Sequence, residues 1–130
     1  MSPEDNRETV RRYCDELWNA GRIELVDELF APDFVEHHPD PIPGRPAGRD
    51  GVKHDVQRVR QGFPDFSMTS EIVCEDDRAG LYWSGRGTQV STGKHVTMSG
   101  IQLFRLRDGQ IVERWGVFDR AGVMRQLAGE

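Results

Sequence analysis

Near the C-terminus, the stretch 113-ERWGVFDRAGVMRQL-127 sets a carboxylate, Asp119, between an aromatic-containing strand pattern and a short apolar helix pattern. Two chemistries suit it. Asp is a favoured helix N-cap, and RAGVMRQL supplies a helix to cap. Trp115, Val117 and Asp119 also share strand parity, so a strand that turns Trp115 into an apolar cavity turns Asp119 there too, where a desolvated carboxylate can serve as a general base. Glu113 has the same parity. Six residues at ~3.3 Å each put it roughly 20 Å from Asp119, beyond the ~5 to 10 Å of a two-carboxylate mechanism.

The other groups able to do chemistry are scattered. His37 and His38 adjoin in VEHHPDPIPGRPAG, and in an extended segment adjacent side chains point opposite ways, so one of them can face inward. No third ligand stands near them at a metal-binding spacing, so no metal and no cofactor are expected. His54 falls off the apolar stripe of its helix pattern and His95 opens a strand beside Lys94; both read as surface residues. Trp18 and Tyr13 belong to a helical apolar stripe, and a buried Tyr13 hydroxyl would need a partner. Trp83 lies on a glycine-rich strand, and Trp115 is the aromatic assigned to the cavity through its parity with Asp119. Cys14 and Cys74 are too few for a disulfide framework or a zinc site and read as buried thiols.

The elements that position these residues follow from periodicity. Ser2-Pro3-Glu4-Asp5 starts a helix with Ser2 as cap, and Val10, Tyr13, Cys14, Leu17 and Trp18 follow helical spacing until Asn19-Ala20-Gly21. Ile23, Val26, Leu29 and Phe30 predict a second helix over 23–30. The proline-rich segment 35–48 reads as a loop. Asp50 is placed as the cap of a third helix carrying Val52, Val56, Val59 and Phe63 and ending near residue 62. From Phe66 the period shortens to two, and four strands joined by tight turns, Asp108-Gly109 the strongest of them, predict an antiparallel sheet to about residue 118. Gly85, Gly87, Gly100 and Gly116 lie inside those strands and permit strong curvature around a one-ended cavity.

Composition bounds the function. The chain has 130 residues, 36% of them apolar, which predicts a single domain over 1–130 with a full core. Its 17 basic and 22 acidic residues give a net charge of −5 without a basic cluster, which argues against nucleic acid or an anionic membrane as partner. The polar N-terminus and the absence of a long apolar run predict a soluble, cytoplasmic protein.

Three helices followed by a curved antiparallel sheet is the order of the α+β, cone-shaped folds related to nuclear transport factor 2. Within them the chain resembles the SnoaL-like polyketide cyclase family, through LWNAGRIELVDELFAPDFVEHHP, GFPDFSM and SGIQLFRLRDGQIVERWGVFDRAGVMRQL. The resemblance implies that Asp119, in WGVFD, is the acid/base of an intramolecular aldol closure. It also maps a pocket histidine of the DFV-x-H segment onto His37 and a polar or basic position of GI-x-x-F onto Gln102. The implied activity is cofactor-independent cyclisation or isomerisation of a small hydrophobic carbonyl compound, with Asp119 and His37 catalytic and Gln102, Trp115, Tyr13, Trp18 and Trp83 around the substrate. Two alternatives stand beside it. One is a non-catalytic ligand-binding or dimerising module of the same fold. The other is an epoxide hydrolase using Arg86 and Asp119. Apolar residues on the outer sheet face, with Ile101, Leu103 and Phe118 assigned there if Trp115 points inward, suggest a homodimer.

Overall fold

The computed structural model describes residues 2–37 and 43–129. Helix α1 (Pro3–Arg12) begins as expected: Ser2 Oγ accepts from the Asp5 amide at 3.2 Å, and the Asp5 carboxylate accepts from the Ser2 amide at 3.2 Å. It continues without a break into π-helical turns over Tyr13–Asn19, closed by an Ala20 N–H to Asp15 carbonyl bond of 3.1 Å. The wider turn brings side chains five residues apart onto one face. Tyr13 and Trp18 thereby meet edge to face with ring centroids 6.5 Å apart.

The second helix is shorter than its apolar pattern predicts. A 3₁₀ turn at Ile23–Leu25 leads into α2 (Val26–Leu29), and Phe30 already belongs to strand β1 (Phe30–His37). Part of the segment expected to be loop is therefore strand, while His38 lies outside the described residues. Helix α3 (Gly48–Gly62) starts two residues before Asp50, which sits in its first turn; the cap position is Ala47, with no side-chain cap bond.

Strands β2 (Ser67–Glu75), β3 (Arg78–Thr88), β4 (His95–Arg107) and β5 (Gln110–Phe118) form the expected antiparallel meander. β1 adds to it parallel to β5, giving the order β1-β5-β4-β3-β2. The hairpin turn Asp108-Gly109 has φ of 52° and 76°, the left-handed pair that an Asp-Gly turn supplies. One face of the curved sheet packs on α1, α2 and α3 around Val10, Leu17, Phe30, Val52, Val56, Leu81 and Phe104, all buried.

Burial alternates along β3 and β4 with the predicted period of two. β5 departs from it. A bulge at Val112, opposite the Arg105–Leu106 step of the partner strand, leaves Ile111 and Val112 both buried, and from there Arg114 points in while Glu113, Trp115 and Val117 line up with Arg105, Leu103 and Ile101 on the outer face. Trp115 is thus on the outside and Arg114, 3% exposed, is in the core. Phe118, opposite Gly100, takes the inner parity.

Helix α4 (Arg120–Leu127) runs past the end of β5 along the edge of β4 that β5 leaves free. Its Gln126 amide stands in for a strand: Oε1 accepts from the Thr97 N–H at 2.8 Å and Nε2 donates to the Thr97 carbonyl at 2.8 Å. Gln126→Ala leaves both Thr97 groups to water. At ~0.5 to 1.5 kcal/mol net per hydrogen bond it should cost about 1 to 2 kcal/mol in denaturant titration and accelerate hydrogen exchange at the Thr97 amide, with the core amides of β3 unaffected.

Candidate functional site

The inner face carries a cavity lined by Tyr13, Trp18, Phe66, Met68, Trp83 and Gln102. Glycine positions make room for these side chains. A Cβ at Gly100 would stand 2.6 Å from Trp83 Nε1, one at Gly85 2.9 Å from the Phe66 ring, and one at Gly116 3.0 Å from Gln102 Cγ. The strand glycines therefore serve close approach as well as curvature: the aromatic rings and Gln102 lie against bare backbone. The cavity is small, about 40 Å³, little more than the ~30 Å³ share of one liquid water.

Its polar end is a chain of charge-assisted hydrogen bonds. Tyr13 OH donates to Gln102 Oε1 at 3.0 Å and accepts from an Arg114 guanidinium N–H at 2.8 Å. Arg114 also donates to Glu36 Oε1 at 2.6 Å; the same oxygen accepts from Arg45 at 2.7 Å, and Arg45 holds Asp55 through its Nε and terminal nitrogen. The chain is neutral in sum, two guanidiniums against two carboxylates, as burial demands. Aromatic faces complete the seat, with Tyr13, Phe30 and Phe34 all within 5.9 Å of the Arg114 guanidinium carbon.

The electrostatics follow from that seat. Burial raises the Tyr13 pKa above the ordinary value, outweighing the opposing pull of Arg114, so the hydroxyl stays a proton donor. Burial works against the charges of Glu36 and Arg114 and is outweighed in both: the two guanidiniums hold the Glu36 carboxyl below the usual range, while Tyr13 and Glu36 hold Arg114 firmly charged. Burial pushes the Cys14 thiol up to about 12, which keeps it an inert thiol.

Four of the expected site residues, Tyr13, Trp18, Trp83 and Gln102, come together in this cavity. His37 and Trp115 do not join them. His37 stacks on Trp115 with centroids 4.7 Å apart, its Nε2 lies 2.8 Å from Glu113 Oε2, and Arg78 covers the Trp115 ring, all on the outer face. The parity that was to carry Trp115 inward carries Arg114 there instead, because Glu36 and Tyr13 are waiting to meet its charge. Ile101 and Leu103 are on the outer face with Trp115, and Phe118 is not.

Asp119 is exposed and caps α4: Oδ1 accepts from the Gly122 N–H at 2.9 Å, while Oδ2 has no hydrogen-bond partner among the described residues. It borders a second, open concavity of about 630 Å³ whose strand residues Ser67, Tyr82, Ser84, Arg86, Thr97 and Ser99 share the parity of Ile101 and Val117, so that Asp119 stands on the outer side of the sheet and not in the inner cavity. Arg86 and Asp119 do share this groove, but among the described residues no second carboxylate lines it. Met68 borders both groove and cavity. His54, expected at the surface, is half-buried, and His95 is exposed. Among the described residues no group of three or more His, Cys, Asp or Glu side chains could hold a metal ion. Among the described residues no helix is long and apolar enough to cross a membrane.

Sequence reasoning missed Arg114 and Glu36. The available signal was a single basic residue at a position whose strand neighbours two places away, Val112 and Gly116, are apolar, facing an acidic residue in a segment flanked by Phe34 and Val35.

A curved, unclosed sheet wrapped on helices is the fold of nuclear transport factor 2-like proteins, and residues 8–127 match the SnoaL-like polyketide cyclase family. The chain belongs to that family. IdmH of Streptomyces antibioticus, provisionally assigned as a polyketide cyclase, is 32% identical, with 95% of this chain and 98% of that one aligned at a TM-score of 0.80. A protein of Bacillus cereus with the same provisional assignment is 25% identical over 95% of this chain and 80% of its own, at a TM-score of 0.86. AclR of Streptomyces galilaeus, provisionally a hydroxylase, matches 99% of this chain and 88% of its own at a TM-score of 0.83; at 22% identity it shares the fold alone. No curated protein matches the chain significantly.

The sign of the Glu36 shift gives a pH prediction. A carboxyl whose folded pKa lies below its unfolded value of ~4.3 stabilises the fold fully above that value, and the contribution is lost as pH falls through the folded pKa. Glu36→Gln should lower the melting temperature at pH 7, by an amount equivalent to on the order of 3 kcal/mol for a broken buried pair, and should flatten the fall in melting temperature below about pH 4.3. An unchanged acid limb in the variant assigns the acid sensitivity to other carboxylates.

Proposed function

We propose that this chain is a cofactor-independent acid/base enzyme that carries out an aldol-type cyclisation or an isomerisation of a hydrophobic carbonyl compound. The observation that carries this reading is Gln102: its amide oxygen is taken by Tyr13, and its N–H₂ has no hydrogen-bond partner among the described residues, at the polar end of an aromatic cavity in a member of a cyclase family. An N–H without a partner at the edge of such a cavity is suited to a carbonyl oxygen on which negative charge develops.

Asp119 is the proposed base, taking a proton from the carbon alpha to a carbonyl through its unpartnered oxygen and returning it to the new alkoxide. Its amide N–H bonds the Ser99 carbonyl, three residues before Gln102, which is roughly 10 Å along the strand. Asp119 follows Trp115 and Val117 in the outer parity while Gln102 has the inner one, so the proposal requires a substrate that reaches round the end of the sheet from the cavity to the groove. Asp119→Asn retains the cap and removes the acceptor. Turnover on a panel of aromatic and polyketide-like ketones should drop about 10²- to 10⁴-fold with melting temperature unchanged, whereas Asp119→Ala should also lose ~0.5 to 2 kcal/mol of stability. Full activity in Asp119→Asn would remove it as the base.

The outer face supports a homodimer. Val73, Tyr82, Ile101, Leu103 and Val117 are 70%, 48%, 58%, 40% and 60% exposed on one side of the sheet, an apolar surface of the kind that a second subunit covers. Sedimentation should show a dimer at micromolar concentration, and Ile101→Lys should shift it to monomer. A wild-type protein that sediments only as monomer would refute the assembly and leave the catalytic reading intact.

A further inference from the structure

We infer that Glu36, Arg114 and Tyr13 are a one-way hydrogen-bond relay that locks Gln102 as a donor, so that the cavity selects ligands presenting an acceptor oxygen and disfavours hydroxyls. This deepens the proposed function and rests on it for the identity of the site, but not for any turnover.

The direction is set by proton counting. A guanidinium has only donors, and Arg114 spends one on Glu36, which as a carboxylate can only accept. A second Arg114 N–H enters the Tyr13 oxygen at 2.8 Å, so the one phenolic proton leaves on the other side, towards Gln102 at 3.0 Å. The Gln102 group facing Tyr13 must then be its carbonyl oxygen, and the amide N–H₂ is what remains for a ligand. An amide is free to flip in isolation, because its two ends are the same shape. Here the flip would set N–H against O–H at a buried position, an arrangement that leaves both donors unpaired. Glu36 is the anchor: Arg45 and Arg114 share its Oε1, so the carboxylate that fixes the first step is itself held by two cations. Gly116 gives Gln102 its place, since a Cβ there would come within 3.0 Å of Gln102 Cγ. Tyr13, Arg114 and Glu36 are positioning residues in this scheme, acting on a ligand through Gln102.

Acetophenone and 1-phenylethanol have the same carbon skeleton and differ in whether the oxygen brings a proton that needs an acceptor. Their binding is read from the indole N–H signals of Trp18 and Trp83 in ¹H–¹⁵N NMR, with Trp115, on the opposite face, as internal control. The wild type should bind the ketone at least roughly tenfold more tightly than the alcohol, the discrimination expected when one buried donor is left unpaired. Tyr13→Phe removes the proton that fixes the amide, and the preference should fall to about twofold or less. Gln102→Glu offers only acceptors, and it should lose the ketone while retaining or gaining the alcohol. That second variant keeps the test open if Tyr13→Phe fails to fold. Equal wild-type affinity for the two probes, no shift with either, or a ketone preference that survives both substitutions overturns the relay. Because no turnover is measured, a working relay with an inactive Asp119→Asn pair of assays, or the reverse, separates this inference from the catalytic one.

Discussion

A guanidinium in the middle of the core, that of Arg114, is the constraint around which this structure is arranged. Burying such an ion without partners costs far more than one domain's net stability, so its neighbours are dictated. Glu36 must come from an adjacent strand, which is what the parallel pairing of β1 with β5 provides through the Glu36↔Arg114 register. Tyr13 must come from across the core, which requires α1 to lie over the sheet at that height. The second cation, Arg45, balances a carboxylate that otherwise would be shared too thinly, and Asp55 on α3 balances Arg45 in turn. One charge thus ties β5, β1, α1, α3 and the segment before α3 to one another. Replacing such a set by apolar residues is often neutral for stability, so stability alone does not account for it.

The scaffold supplies the complementary, uncharged half of the site by subtraction. Gly85, Gly100 and Gly116 remove side chains from the inner face where Phe66, Trp83 and Gln102 need to lie, and the π-helical turns rotate Trp18 onto the side of Tyr13. The result is polar at one end and aromatic along the walls. An amide, not an imidazole, stands at the polar end. An amide's protonation does not change across physiological pH, so the group that meets the ligand is set by hydrogen-bond direction alone, and direction is what the Arg114 charge enforces.

The period-two pattern of β2 to β4, the Ser2 cap and the Asp108-Gly109 hairpin were legible because local chemistry decides them. The inner placement of Tyr13 and Trp18 was legible through their apolar stripe and that of Gln102 through the family resemblance, whereas the strand pattern left the side taken by Trp83 open. Strand β1 was not, because its end runs into a proline-rich stretch, and parallel pairing with a strand some 80 residues on leaves no local mark. Nor was the orientation of β5. Hydropathy favours Trp115 inside and Arg114 outside, and only the long-range meeting of Arg114 with Glu36 and Tyr13 reverses that choice. Trp115 keeps much of its surface covered even so, between His37 and Arg78. Asp119 shows the expected cap, with one oxygen on Gly122, and not the expected burial beside Trp115, because the strand parity that the two share faces outward.

The size of the cavity determines what has to move. About 40 Å³ holds no organic substrate, so a ligand enters only if wall side chains yield. They cannot yield at the polar end, where each displacement would expose a buried charge. They can at the other. Met68 is unbranched and adaptable, and it borders both the cavity and the groove of about 630 Å³. Rotation of that one side chain would enlarge the cavity and leave Gln102 where the relay holds it. Rigidity at the donor and compliance at the thioether are therefore parts of one arrangement: the first fixes the direction of the hydrogen bond that Gln102 offers, and the second sets the room beside it.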